Sequence, residues 1–377
     1  MTVPTSVPDT RQAHDPTAVA PPGIPDPLLV RHQIAAVLSA FVDHKSVSAR
    51  EQGLPCEPLR AVGEFLAAGG KRIRPLFCVL GWYAAQGTGS SAPVIRVGAA
   101  LEMFHAFALI HDDVMDHSDT RRGQPTLHRA LTVQHCHGRT PEAAGDIGAG
   151  AAILVGDLAL IWSDELLRGD DTGLDQAQRE RVMPLIDIMR TEVMYGQYLD
   201  LTATRQPTTD INRALAIIRY KTAKYTIERP LHIGAVLAGA NDQFLERLSA
   251  FALPLGDAFQ LRDDLLGVFG HPGQTGKSVL DDLREGKHTV LITLALQAAD
   301  PSQARLLRTL YGSHHLDQES AATLRAILQA TGADQAVEHM IHERHEQALD
   351  ALDAADLPTG VHDQLLDLAE QVVRRTS

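Results

Sequence analysis

From Leu28 onward, apolar residues recur at three- and four-residue spacing in long blocks, among them 29–45, 57–68, 92–116, 147–168, 177–201, 210–227, 243–269 and 318–350. That is the period of a helix with one face turned inward. Few alternating runs rich in Val, Ile or Thr interrupt the blocks, so the pattern predicts an all-α chain. Turn signals fall between blocks, at Gly69-Gly70, Gly87-Thr88-Gly89, Gly123-Gln124-Pro125, Gly270 to Gly273 and Asp300-Pro301. No repeat of 20–50 residues recurs, and no linker divides the chain after residue 28, which predicts one large helical domain over 28–377. Residues 1–27 are different. They hold seven of the twenty prolines, no apolar periodicity, and no charged segment followed by an apolar one. The expectation there is a disordered leader and not a signal peptide. The longest apolar run, 147–162, is short for a membrane span and is broken by Asp157, so a buried helix and no bilayer crossing are expected.

Composition narrows the function. With 44% hydrophobic residues in 377, the chain can bury a large core, and a formal charge of -13 makes nucleic acid an unsuitable partner. An anionic substrate must therefore find a local basic site. Cys56, Cys78 and Cys136 have neither the number nor the spacing of a disulfide framework or a zinc site, which fits a reducing cytoplasm. His135-Cys136-His137 looks like a metal cluster, but adjacent side chains diverge too far to share a tetrahedral ion.

The acids cluster at two helix ends. LIHDDVMDHSDTRRG, 109–123, runs from apolar residues into Asp112, Asp113 and Asp116. On a helix Asp112 and Asp116 share a face, where two like charges repel unless a cation lies between them. Hard divalent ions such as Mg²⁺ take carboxylate oxygens. A solvated acidic helix end is the bland alternative, but Phe104 and Phe107 just upstream place these acids at the end of a core segment. With repulsion relieved, replacing Asp112 or Asp116 by alanine should hold or raise stability. A second cluster, FQLRDDLLG at 259–267, carries Gln260, Asp263 and Asp264.

Basic residues accompany both. GGKRIRP, 69–75, sets Lys71, Arg72 and Arg74 after a double glycine that lets backbone approach an anion. Arg121 and Arg122 follow the first cluster, and Lys221 and Lys224 in KTAK stand one helical turn apart beside Thr222. The loop GKSVLDDLREGKHT, 276–289, carries Lys277 and Lys287. Two acidic walls with basic companions suit a diphosphate whose charge is shared between Mg²⁺ and Lys/Arg. Gln197 and Asp200 lie one turn apart and read equally as cavity-facing or as a satisfied polar pair.

In combination, GGKRIRP, DDVMD with RR, KT, Q-x-x-D-D and the GK to EGK loop resemble the trans-isoprenyl diphosphate synthases of the polyprenyl synthetase family, most like the bacterial geranylgeranyl diphosphate synthases. The resemblance runs from about Gly69 to Lys287. It implies a homodimer in which each chain is a single bundle of the isoprenoid synthase type around a central apolar cavity. It also implies three Mg²⁺ per site, bound by Asp112, Asp116 and Asp263. Arg121, Lys221, Gln260 and Lys277 would contact the allylic diphosphate, and Lys71, Arg74, His105 and Arg122 the diphosphate of isopentenyl diphosphate. Lys221, Thr222 and Gln260 would be catalytic, with Thr222 near the reacting carbons where the cation forms. Gly267 stands where many members carry a third aspartate, which removes a possible outer carboxylate and favours Asp263 over Asp264 as a ligand. Leu280 replaces a usual glycine.

The implied reaction is ionisation, condensation and elimination. Product length follows from helix geometry: Phe104 lies about 12 Å below Asp112 and Phe107 about 7.5 Å below it, while Ala108, one turn down, leaves room. In the resembled family a bulky residue at the Phe107 position limits elongation, and DDVMD lacks the two-residue insertion of bacterial farnesyl diphosphate synthases. The expected main product is geranylgeranyl diphosphate, C20, with C15 as the alternative. A class I terpene cyclase would carry a different second motif and more than 5% aromatics, and a non-catalytic partner subunit should have lost motif aspartates or lysines that this chain retains.

Overall fold

The structure, a computed structural model, describes residues 23–169, 172–270 and 279–374. Lys277 and most of the leader lie outside the described residues. Along the chain run α1 (Pro27–Glu51), α2 (Glu57–Ala67), α3 (Ile73–Ala84), α4 (Ala92–Met115), α5 (Leu127–Gln134), α6 (Pro141–Arg168), α7 (Gln176–Ala203) and α8 (Ile211–Ile217). A π-helical segment, Ile218–Glu228, leads into α9 (Arg229–Leu237) and α10 (Asp242–Phe269). Then come α11 (Val279–Glu285), α12 (Val290–Ala298), α13 (Pro301–Leu310), α14 (Gln318–Ala330), α15 (Ala333–Ala354) and α16 (Thr359–Arg374). Among the described residues the only sheet is a hairpin pairing Thr120–Arg121 with Gln124–Pro125. The all-α expectation is met.

The central element is α4. Its buried residues, from Val94 to Asp113, occupy every side of the helix, as they must in a helix that other helices surround. Against it packs α6, while α3 crosses α9 at close range because Gly81 and Gly234 face backbone: a Cβ on Gly234 would stand 1.8 Å from the Cys78 carbonyl. The π segment is gripped in the same way. A Cβ on Gly196 of α7 would meet the Lys221 amide at 2.6 Å, and one on Gly256 of α10 would meet Ala223 at 2.4 Å. Small residues on both neighbours thus admit a helix wider than usual.

Three features differ from the sequence expectations. Block 318–350 is two helices, broken where Gly332 adopts φ +71°. Order begins before residue 28: Ile24 packs on the core, Asp26 caps α1 through the Leu28 amide at 2.7 Å, and Gln364 donates to the Pro25 carbonyl at 3.2 Å. The third concerns α6, which is not a buried helix. Only one face meets α4 and α5, while Ile153, Leu154 and Ile161 stay exposed, Leu154 by 65%. Both α4 and α6 are long and apolar enough to cross a membrane by length and composition; α4 is core.

Candidate active site

The last turn of α4 delivers three carboxylates in two directions. Asp113 turns inward, 1% exposed, and accepts three hydrogen bonds of 2.7–2.9 Å from the Arg121 guanidinium. This pair ties the hairpin to the helix. Asp112 and Asp116 share the opposite face, as their spacing predicts. Each is met by an ammonium group: Lys221 Nζ stands 3.2 Å from Asp112 and 2.6 Å from Asp200, and Lys287 Nζ stands 3.0 Å from Asp116 and 2.8 Å from Glu285. Burial alone would raise the Asp112 carboxyl, but Lys221, Lys287 and Arg121 outweigh it and hold it well below the carboxylate range. Burial likewise opposes the charge on Lys221 and Lys287, yet their carboxylate partners raise both above the usual lysine value.

The π segment joins this end to the second acidic cluster. Next to Lys221, the Thr222 hydroxyl donates to Gln260 Oε1 at 2.6 Å, and Gln260 Nε2 donates to Asp264 Oδ1 at 2.8 Å. Burial, then Asp263, Asp282 and Asp200, push the Asp264 carboxyl up to about 7 against the Gln260 hydrogen bond. Closing turns with i→i+5 bonds places residues four and five apart on one face. Lys221 and Tyr225 therefore reach α4, at Asp112 and His105, and Thr226 reaches Arg74 of α3, while Lys224 turns away to Glu192 at 2.6 Å. The expected Lys221–Lys224 pair is not formed.

A second cationic set lies across the cavity. Of the three basic residues in GGKRIRP, Arg72 is used structurally, donating to the Arg31 carbonyl at 2.8 Å. Arg74 instead reaches the cavity, where its Nη2 donates to the Thr226 hydroxyl at 2.7 Å. Gly70 makes room for Arg122, whose Nη2 would stand 2.6 Å from a Cβ there. Burial and the charges of Arg74, Arg121 and Arg122 hold His105 well below its ordinary pKa, so its ring is neutral. Lys71 is exposed on the loop leading to α3.

Between the two sets a cavity of about 190 Å³ is lined by Arg74, His105, Phe107, Ala108, Asp112 and Thr222, among others. Phe107 and Ala108 thus reach the cavity as expected. Phe104 does not. It stands behind, 5.3 Å from the Phe107 ring and 1% exposed. Gln197 lines the cavity with a buried amide nitrogen that finds no hydrogen-bond acceptor among the described residues. Sequence reading left Asp200 undecided and assigned no role to Lys287, though both hold the central charges. Gly267 is not simply a lost carboxylate. A Cβ there would stand 1.8 Å from Asp282 Oδ2, so the Asp282 carboxylate fills that space.

A profile described as Polyprenyl synthetase matches residues 57–329. Geranylfarnesyl diphosphate synthase of Aeropyrum pernix is 34% identical over 235 residues, 62% of this chain and 69% of its own. Geranylgeranyl diphosphate synthase of Sulfolobus acidocaldarius is 31% identical over 272 residues, 71% of this chain and 76% of its own. Among solved structures, the geranylgeranyl pyrophosphate synthase of Corynebacterium glutamicum, complexed with isoprenyl diphosphate and magnesium, superposes with a TM-score of 0.86 at 40% identity, covering 93% of this chain and 98% of that one.

Proposed function

The chain belongs to the polyprenyl synthetase family and is a trans-prenyltransferase, and from that premise we propose that it condenses isopentenyl diphosphate with allylic diphosphates to give mainly geranylgeranyl diphosphate. One observation carries the reading: a single cavity has Lys221 beside Asp112 and, also in its wall, Arg74 and His105, so two diphosphates could be held with their carbon chains facing. Lys221, Arg121, Gln260 and Lys277 would serve the allylic diphosphate, joined by Lys287. Lys71, Arg74, His105 and Arg122 would serve the other.

The donor set suits Mg²⁺. Asp112, Asp116 and Asp263 offer the hard oxygen ligands that Mg²⁺ takes, and the Gln197 amide nitrogen in the cavity wall, unpartnered among the described residues, offers a donor that suits the diphosphate and not the ion. Among the described residues no three such groups already converge as a cage, because lysines hold the α4 carboxylates. When bound, the ions neutralise the departing diphosphate. Lys221 and Lys287 would meet the charge that develops on the leaving oxygen, so that the allylic C–O bond can break with its electron pair going to diphosphate. The double bond of isopentenyl diphosphate then forms the new C–C bond, and a proton passes to the released diphosphate. Phe107, Ala108 and Val193 keep water from the cation.

A second copy would cover the apolar side of α6 and α7, where Leu154, Tyr195 and Tyr198 are 65%, 66% and 63% exposed. Met194, which lines the cavity, lies on that side, so a homodimer would also wall the site. The cytoplasm suits the three free cysteines.

The test is incubation of purified protein with Mg²⁺, isopentenyl diphosphate and C5, C10 or C15 allylic diphosphates, with chromatography of the dephosphorylated alcohols. C20 alcohol is expected. Ala108→Phe should shorten the product toward C15 and Phe107→Ala lengthen it to C25 or beyond; unchanged lengths in both would place the limiting wall elsewhere. No diphosphate release would leave a non-catalytic subunit.

A further inference from the structure

The π segment brings Tyr225 to the cavity wall and Thr226 to the Arg74 guanidinium, and the proposed reaction leaves both unused. Tyr225 is 3% exposed and touches two of the groups assigned to isopentenyl diphosphate. Its ring lies beneath the Arg74 guanidinium, 4.1 Å from Cζ to centroid, and its hydroxyl stands 3.3 Å from His105 Nδ1. Phe104 meets the ring edge-on at 5.9 Å and fixes its plane. The Thr226 hydroxyl holds one end of the same guanidinium, while Arg74 Nε has no acceptor among the described residues.

We propose that Tyr225 is a positioning residue for the isopentenyl diphosphate site: its hydroxyl selects the His105 tautomer that offers Nε2–H to the anion, and its ring face sets the Arg74 guanidinium plane. This rests on the assignment of Arg74 and His105 to that substrate. Burial pushes the Tyr225 phenol up to about 12, so it keeps its proton and can donate. A neutral imidazole has one N–H. With Nδ1 accepting from the phenol, the hydrogen must sit on Nε2, where it can bond a diphosphate oxygen; the other tautomer would aim a lone pair at an anion. The guanidinium is planar, so its bidentate contact with phosphate depends on orientation, which stacking over an aromatic face supplies.

Steady-state kinetics with each substrate varied at saturation of the other test this. Tyr225→Phe keeps the ring and loses the hydroxyl. It should raise KM for isopentenyl diphosphate roughly threefold to tenfold, with kcat and the allylic KM little changed. In a cycle with His105→Gln the two effects should not multiply, because the hydroxyl acts through the imidazole. In ¹⁵N-histidine-labelled protein, the His105 ring signals, identified by their loss in His105→Gln, should shift from one tautomer toward a mixture in Tyr225→Phe. Tyr225→Leu should raise the isopentenyl KM further, by roughly another threefold. An unchanged isopentenyl KM in Tyr225→Phe, or multiplicative effects in the cycle, overturns the proposal. If the leucine variant does not fold, the phenylalanine variant alone decides. Should Arg74→Ala and His105→Gln raise the allylic KM instead, the substrate assignment fails, while the cycle still reports whether Tyr225 works through His105.

Discussion

The two acidic helix ends are built on opposite electrostatic plans. At the end of α4 every carboxylate has a cation within ion-pair distance: Asp112 has Lys221, Asp113 has Arg121 and Asp116 has Lys287. On α10, Asp264 is met by a neutral amide, and the next turn, at Gly267, receives yet another carboxylate from Asp282. One end is charge-compensated by the chain itself. The other gathers carboxylates whose charge a bound cation would offset. The contributions of Asp112 and Asp264 to stability should therefore differ in sign, although both ends would serve turnover.

The sharpest way to break this comparison is to remove one carboxylate from each end. Asp112→Ala and Asp116→Ala should each lower kcat/KM by ~10³-fold at saturating Mg²⁺. Against the sequence expectation that stability would hold or rise, a loss is expected, because each change removes one of a lysine's two carboxylate partners. Both lysines keep a second carboxylate, Asp200 or Glu285, so the loss should be about 1–2 kcal/mol, less than the cost of orphaning a buried ion. Asp263→Ala should damage turnover comparably, whereas Asp264→Ala should leave the metal-free protein as stable or more so. Urea unfolding of the Asp112, Asp116 and Asp264 variants settles it: equal destabilisation at both ends would end the contrast.

A smaller effect is expected at Gly267. Any side chain there drives the Asp282 carboxylate from its place, since even a Cβ would stand 1.8 Å from its oxygen. Gly267→Ala should cost roughly 10–100-fold in activity, the range for groups that support a metal site. If Asp282 supplies the carboxylate that α10 lacks, the swap Gly267→Asp with Asp282→Gly should recover activity above either single change. A swap no better than its components would leave the Asp282 position without that role.

How legible this was depended on the distance over which each signal acts. Helical blocks, the carboxylate pair at i and i+4, and the glycines of GGKRIRP are local patterns and were read from the sequence. The π segment was not, because π and α winding use the same residues and differ only in register; Lys224 was accordingly placed on the wrong face. Asp200 stayed undecided because its partner, Lys221, lies 21 residues away. The exposed side of α6 reads like core, since an apolar face looks the same whether its own chain or another covers it. Asp282 replacing a side chain at Gly267 is a contact between two helices, which no single stretch encodes.

The smallest predicted effect is also the most direct reading of the unbalanced end. Burial, then Asp263, Asp282 and Asp200, raise Asp264 to about 7 in the folded chain, whereas an unfolded aspartate titrates near about 3.9. A carboxyl raised on folding binds its proton more tightly when folded, so its contribution is most favourable below about pH 4 and is lost as pH rises toward about 7, with no further change above. Asp112 has the opposite sign: its folded pKa is depressed, so its contribution is present at neutral pH and disappears in acid below about pH 4. In metal-free protein, Asp264→Asn should therefore unfold at a higher temperature than wild type at pH 8, by roughly 2–4 °C. The gap should narrow as pH falls from 7 toward 5. Mg²⁺ with inorganic diphosphate should close it at pH 8 by supplying the missing positive charge to the wild type alone. Parallel unfolding curves for the two proteins across this range, unmoved by Mg²⁺ and diphosphate, would show that the α10 end is not the unbalanced one.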